Sequence, residues 1–357
     1  MAVFANPSFD GHEQVVFGAD RRSGLRAIVA VHDTRLGAAV GGCRMYPYAS
    51  EADALDDVLR LSRGMTYKSA LAGLPLGGGK SVIIGDPARD KSPQLWRAMA
   101  QLIDSLGGRY VAAEDSGTSV ADLRAMSQHT AHVSGFAATE HGGDPSPSTA
   151  LGVFIAIRRA LAHRLGAEDL QGVRVAIQGL GHVGFALAQM LTAEGAQVLA
   201  SDINSVNLAR AQAELGVVPV SAADILSVDA DVLAPCALGG ALNKDSIASL
   251  RACIVAGAAN NQLREHADGD RLVDRGILYC PDFLINAGGI IDVHYQRSGL
   301  DRHGLQAHIA SIGDRLSEVL NRADLCHRPT GDIAEELAEE ILQSHAAPVD
   351  QELLDVA

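Results

Sequence analysis

Residues 174–204 read RVAIQGLGHVGFALAQMLTAEGAQVLASDIN. Val175, Ala176 and Ile177 are an apolar strand. Gly179, Leu180, Gly181, His182, Val183 and Gly184 then spell G-x-G-x-x-G, and a helical pattern runs on to Glu194. A second strand, Val198 to Ser201, ends at Asp202, 18 residues beyond the third glycine. In a chain with 37 glycines the motif alone carries little weight. Placed after a strand, opening a helix and followed by an acid at the next strand's end, it specifies a dinucleotide-binding fold. The glycines permit a tight turn and close approach of a pyrophosphate, at which the helix N-terminus directs its N–H groups. Asp202 would bind both ribose hydroxyls and repel a 2′-phosphate, and no arginine follows it in DINSVN, so NAD is expected rather than NADP.

Downstream, DVLAPCALGG, CIVAGAANNQL and GILYCPDFLINAGGIIDV repeat the pattern of an apolar strand ending in small residues or Asn, as open α/β sheets do where ligands bind. Upstream, GGDPSPSTALGVFIAIRRALAHRLG is a loop and a long helix. With 357 residues the chain exceeds what one core usually serves. The texture changes near residue 136, so the expected organisation is α/β with two domains: 1–135, and a Rossmann-type domain over 136–330. The acidic C-terminal helix within 331–357 is expected to pack back on the first.

Composition narrows the class. The chain is 47% hydrophobic with 4% aromatics, and no apolar run is long enough to cross a membrane. The N-terminus lacks a signal-peptide pattern. Five scattered cysteines without CxxC spacing argue for reduced thiols in a cytoplasm and against a zinc site. A formal net charge of −14 disfavours nucleic acid and anionic membranes as partners.

The N-terminal half holds the chemistry. Of 29 basic residues only four are lysines, Lys68, Lys80, Lys91 and Lys244, and two of these lie twelve residues apart in one apolar, glycine-rich segment. Arginine keeps its proton, whereas a partly buried lysine can be tuned toward neutrality. GLPLGGGKSVIIGDP, residues 73–87, is not a phosphate loop: Leu74 stands where that loop needs glycine, and a strand, Ser81 to Ile84, follows instead of a helix. Helical spacing starting at Ser50 puts Lys68 near or past the helix's C-terminal end, and Lys80 after a loop. LGAAVGGCRM reads as a strand running into a glycine turn, and RYVAAEDSGTS as a short strand delivering Asp115 into a turn.

These blocks, with AEDSGTS, DPSPSTALGV, QGLGHVG, APCALGG, AANNQL and PDFLINAGGIIDV, resemble the Glu/Leu/Phe/Val dehydrogenases, the leucine type most, from about residue 10 to the last helix. The resemblance implies reversible oxidative deamination of an L-amino acid to a 2-oxo acid and ammonia, with NAD as hydride acceptor, in a cytoplasmic homo-oligomer. It also implies a cleft between an N-terminal substrate domain and the dinucleotide domain. Carried over by position, Lys80 is the base that activates water, with its pKa lowered by Lys68, and Asp115 shuttles a proton at the amino nitrogen. Lys68 partners the substrate carboxylate, and Asn261 holds that carboxylate or the amine. Gly41 and Gly42 form a turn bordering the substrate, and Thr149 and Asn286 hold the nicotinamide carboxamide.

The resemblance also places Val40, Ala113, Ile290 and Val293 around the substrate side chain. None can pair with a carboxylate, so a branched-chain aliphatic substrate is expected, with phenylalanine the alternative. Three other features have bland readings. His182 is an exposed filler, Cys236 and Cys280 are small packing residues, and Glu114 points away from Asp115.

Overall fold

The computed structural model describes residues 3–135, 144–166, 169–237 and 239–345. The expected domain start at 136 and the end of the C-terminal segment, 346–357, lie outside the described residues. The chain forms two compact units, Met1–Val133 with Glu336–Ala357, and Ser134–Glu335.

In the first unit the order is β1 (Gln14–Asp20), β2 (Leu25–Asp33), β3 (Ala39–Tyr46), α1 (Glu51–Leu71), β4 (Gly77–Ile84), α2 (Pro93–Asp104), β5 (Tyr110–Glu114) and α3 (Val120–Ser127). The sheet runs β1-β2-β4-β3-β5, with β1, β2 and β4 antiparallel and β4, β3 and β5 parallel. Ser50 caps α1 by accepting the Asp53 N–H at 3.1 Å, and the Asp53 carboxylate accepts the Ser50 hydroxyl in return. Ala54, Leu55, Val58 and Leu59 of α1 then pack on Ile28, Ala30 and Val82 of the sheet.

Two expectations of turns are corrected here. Gly41 and Gly42 lie inside β3, and β4 begins at Gly77, so Lys80 is mid-strand rather than at the end of a loop. The glycines serve close packing instead. A Cβ on Gly78 would stand 2.1 Å from the Thr66 nitrogen of α1, and one on Gly79 2.7 Å from the Tyr110 ring. One on Gly41 would strike the Gly79 carbonyl. Glycine runs normally weaken a strand, and here they let a helix and an aromatic ring lie directly on the backbone.

In the second unit α4 (Ser146–Leu165) precedes β6 (Arg174–Gln178), α5 (His182–Ala193), β7 (Gln197–Ser201), α6 (Ser205–Leu215), β8 (Val218–Pro219), β9 (Val232–Pro235), α7 (Lys244–Ser249), β10 (Ile254–Val255), α8 (Ala267–Asp274), β11 (Leu278–Tyr279), α9 (Asp282–Ile285), α10 (Gly288–Ser298) and α11 (Arg302–Cys326); α12 (Thr330–Ser344) passes into the first unit. Among the described residues the sheet is parallel throughout, in the order β8-β7-β6-β9-β10-β11. Numbered within this unit that is 3-2-1-4-5-6, the doubly wound order whose reversal point lies beside β6. Its central strands β6, β7 and β9 are largely buried, which is why they read as unbroken apolar runs.

Candidate active site

In the first unit the site residues collect on one face of the sheet. Val40 pairs in register with Gly78, and Gly42 with Ala113. Side chains alternate along a strand, so Val40, Gly42, Ala113 and Lys80 share a face, the face against α1. Lys80 is buried there, and its ammonium meets the Oδ2 of Asp115. The absent side chain of Gly42 makes room for that carboxylate: a Cβ would stand 2.6 Å from Asp115 Cβ and 2.9 Å from Oδ2. Lys68 lies half-buried in the last turn of α1. The close contact of Thr66 with Gly78 leaves Lys68 and Lys80 each two residues beyond it, on facing elements.

The turn after β5 holds Asp115 firmly. Its N–H donates to Thr118 Oγ1 at 3.0 Å, whose hydroxyl donates to the Cys43 carbonyl at 2.9 Å. Met45 N–H donates to the Ser116 carbonyl at 2.9 Å, and Ser116 N–H to Asp115 Oδ1 at 2.6 Å. Burial alone would raise the Asp115 pKa. Lys80, then Arg44, outweigh it and bring the carboxyl down to about 2. Val40 is only 1% exposed and Ala113 half-buried, so the aliphatic wall on this face is more enclosed at Val40. Glu114 is exposed, and its neighbour Asp115 is not.

Arg44 and its supports are absent from the reading of the sequence. Its Nη1 reaches Asp57 at 3.0 Å and its Nη2 reaches Asp115 at 3.5 Å, while Tyr48 donates its hydroxyl to the same Asp57. The sequence around it is silent: Arg44 stands in β3, and only the fold brings Asp57 and Asp115 to it.

In the second unit the glycine loop joins β6 to α5. Gly179 has φ +98°, which favours glycine, and a Cβ on Gly184 would strike the Gly179 carbonyl. Gly181 differs: a Cβ there would meet nothing within 4 Å. No neighbour among the described residues accounts for that glycine, and a ligand laid against the loop would. Asp202, at the end of β7, accepts the Leu180 N–H on Oδ2 at 2.7 Å and the Asn204 N–H on Oδ1 at 2.7 Å. It therefore ties the loop to the neighbouring strand and keeps lone pairs for hydroxyl donors. His182 is 85% exposed at the start of α5, faces Asp144 at 3.1 Å, and precedes Val183 in the first turn.

Asn286, closing α9, donates Nδ2 to Asn260 Oδ1 at 2.8 Å and to the Ala258 carbonyl at 3.1 Å, while its Oδ1 is buried without a hydrogen-bond partner among the described residues. An orphaned carbonyl oxygen suits a primary amide donor such as a carboxamide. Thr149, in the first turn of α4, donates to the Pro145 carbonyl at 3.2 Å, and a Cβ on Gly289 would stand 2.5 Å from its hydroxyl. Together these residues fit a nicotinamide dinucleotide. Asn261 lies on the exposed loop after β10 with φ +52°, its carbonyl accepting the Gly240 N–H at 2.7 Å. Ile290 and Val293 are half-buried on α10. Burial pushes the Cys236 thiol up to about 11 and the Cys280 thiol to about 12, which fits packing rather than nucleophilic roles.

Comparison with known proteins gives a consistent picture. Residues 12–132 match the family described as Glu/Leu/Phe/Val dehydrogenase, dimerisation domain, and residues 143–208 and 202–297 match Glutamate/Leucine/Phenylalanine/Valine dehydrogenase. Leucine dehydrogenase of Geobacillus stearothermophilus is 46% identical over 96% of this chain and 94% of its own length. Phenylalanine dehydrogenase of Bacillus thermotolerans is 45% identical over 93% of this chain and 89% of its own. The crystal structure of L-tryptophan dehydrogenase from Nostoc punctiforme superposes with a TM-score of 0.80 at 41% identity, covering 94% of this chain and 97% of that one.

Proposed function

The chain belongs to the Glu/Leu/Phe/Val dehydrogenase family, and on that premise we propose that it catalyses the NAD-dependent, reversible oxidative deamination of a branched-chain aliphatic L-amino acid to the 2-oxo acid and ammonia. The observation that carries the reading is the buried Lys80–Asp115 pair on the open-backed glycine face of the first sheet. Bound dinucleotide supplies the hydride acceptor. Lys68 pairs with the substrate carboxylate and fixes the α-carbon. Asp115 takes and returns a proton at the amino nitrogen. Lys80, once neutral, removes a proton from water so that its oxygen adds to the imino carbon, and Asp115 returns a proton to the departing ammonia. Asn261 steadies the carboxylate or amine, and the backbone at Gly41 and Gly42 borders the substrate.

On the dinucleotide side, Gly179 to Gly184 take the pyrophosphate, Asp202 the adenosine ribose, and Thr149 and Asn286 the carboxamide. Asp202 favours NAD because a 2′-phosphate would meet a carboxylate already committed to holding the loop. Val40, Ala113, Ile290 and Val293 are the side-chain contacts of this reading; all are apolar. Burying a glutamate side-chain carboxylate against them would cost several kcal/mol, so glutamate is excluded. Phenylalanine is the second reading, favoured by a relative of that name at nearly equal identity. The family description of the first unit as a dimerisation domain supports a homo-oligomer, and the free cysteines suit a cytoplasmic setting.

The test is dinucleotide reduction across the L-amino acids, with NAD and NADP in parallel, on the native chain and on Lys80→Ala. The native chain should turn over leucine, valine and isoleucine fastest and prefer NAD. Lys80→Ala should bind dinucleotide and turn over nothing. More than a few per cent residual activity would remove Lys80 from its role, and equal efficiency with NADP would remove Asp202 from its own.

A further inference from the structure

Arg44 is the one charged group of β3, on the face that carries Lys80. Its guanidinium is shared between two carboxylates, Asp57 of α1 at 3.0 Å and Asp115 at 3.5 Å. Lys80 takes Oδ2 of Asp115 and Arg44 approaches Oδ1, so one carboxylate lies between two cations. Among the described residues the Nε of Arg44 is buried without a hydrogen-bond partner. A guanidinium kept for stability alone would satisfy its donors, because a buried unmet donor is costly. Here the charge is held in place despite that cost.

We propose that Arg44 is a positioning residue that acts through Asp115: by drawing on the second oxygen of that carboxylate, it lets the Lys80 ammonium release its proton at a lower pH than the Lys80–Asp115 pair alone would allow. The inference rests on the reading of Lys80 as the base. Asp115 alone would oppose that role, since an anion against an ammonium stabilises the proton that a base must lose. Arginine never deprotonates, so Arg44 counters this at every working pH, by repelling Lys80 and by claiming part of the Asp115 charge. Burial works against the Arg44 charge, and Asp115 and Asp57 outweigh it.

Other charged and titratable groups face the pair, but among the described residues Arg44 is the cation that shares the Asp115 carboxylate with Lys80. From α1 come Asp57, which holds Arg44 back with help from Tyr48, and Lys68, a cation that works in the same direction as Arg44. From β2, paired with β4 at Lys80, comes His32, which burial lowers to about 4 and so leaves neutral. From β3 comes Cys43, whose thiol is pushed up to about 12 by burial and stays neutral. Glu114 of β5 is exposed. Asp122 of α3 is taken by Lys91 at 2.6 Å.

The experiment is the pH dependence of kcat/KM for the full chain, with whichever of L-leucine and L-phenylalanine is turned over faster. The substrate's own ammonium titrates alike in every variant, so differences belong to the protein. Arg44→Met should move the midpoint of the alkaline rise upward by about 1 unit, and Arg44→Lys should leave it near the native value. Asp57→Asn should move it downward, because Arg44 then turns wholly to Asp115. A merely structural role would lower the rate of Arg44→Met without moving its midpoint, and that result would overturn the proposal. Should Arg44→Met not fold, the sign for Asp57→Asn decides: an unmoved or rising midpoint overturns it. Lys80→Ala separates the two readings. If it is inactive while Arg44→Met is unshifted, only the role of Arg44 fails; if it is active, the base assignment fails and takes this inference with it.

Discussion

Gly42→Ala probes the packing on which the site depends. The added methyl would stand 2.6 Å from Asp115 Cβ, 2.9 Å from its Oδ2 and 2.9 Å from the Glu114 carbonyl. Carbon atoms rest at about 3.5 to 4.0 Å, so something must give by about 1 Å. The backbone of the turn cannot yield easily, being laced to β3 through Thr118, Cys43 and Met45. The side chain of Asp115 must therefore swing away from Lys80. A displacement of about 1 Å at a reacting group can cost on the order of 10²-fold in rate, and overpacking typically costs about 1 to 3 kcal/mol of stability. Steady-state dinucleotide reduction, urea unfolding and a fluorescence titration with NADH on the same protein separate these effects. kcat should fall about a hundredfold while the affinity for NADH is unchanged, since the glycine loop belongs to the other unit. A folded variant whose kcat stays within about threefold of the native value would mean that the Asp115 carboxylate tolerates the added methyl.

Further outcomes follow from individual groups. Gly181→Ala, whose methyl meets no protein atom, should fold as the native chain does and weaken NADH binding at least about tenfold, or about 1.4 kcal/mol; unchanged affinity would mean the loop does not touch the dinucleotide. His32, 5% exposed and hydrogen-bonded to Thr66 Oγ1 at 2.8 Å, is lowered from 6.5 to about 4, by burial first and then by His12. The unfolded chain takes that proton first, so stability is full above pH 6.5 and falls by about 3 kcal/mol as pH drops to about 4. Urea titrations of His32→Asn should lack most of that slope. Asp115, lowered from 3.8 to about 2, works in a more acidic window: its contribution is complete above pH 3.8 and about 2 kcal/mol is lost as pH falls toward 2. Asp115→Asn should lose about 2 kcal/mol of the native slope there, and a slope equal to the native one would place the titration elsewhere.

The dinucleotide loop of the second unit and the strands on either side of it are legible in the sequence alone. The strand 175–177, the glycine loop, the helix after it and the acid at 202 are local in the chain, and each is demanded by backbone chemistry that neighbouring residues can satisfy. Helix α1 was legible for the same reason, through its Ser50–Asp53 cap and its apolar period. The segment 39–46 was not. Two glycines in succession suggest a turn, and only the long-range packing of α1, Tyr110 and the Asp115 turn against the backbone makes them strand residues. For the same reason Lys80 was recognised but its setting was not: the carboxylate that faces it arrives from β5, 35 positions later. In the sequence Arg44 is a lone arginine, and its place emerges only when Asp57 and Asp115 are brought to it from different elements. Residue types and local spacing identify which groups do chemistry, whereas the charge each one carries depends on neighbours that only the folded sheet assembles.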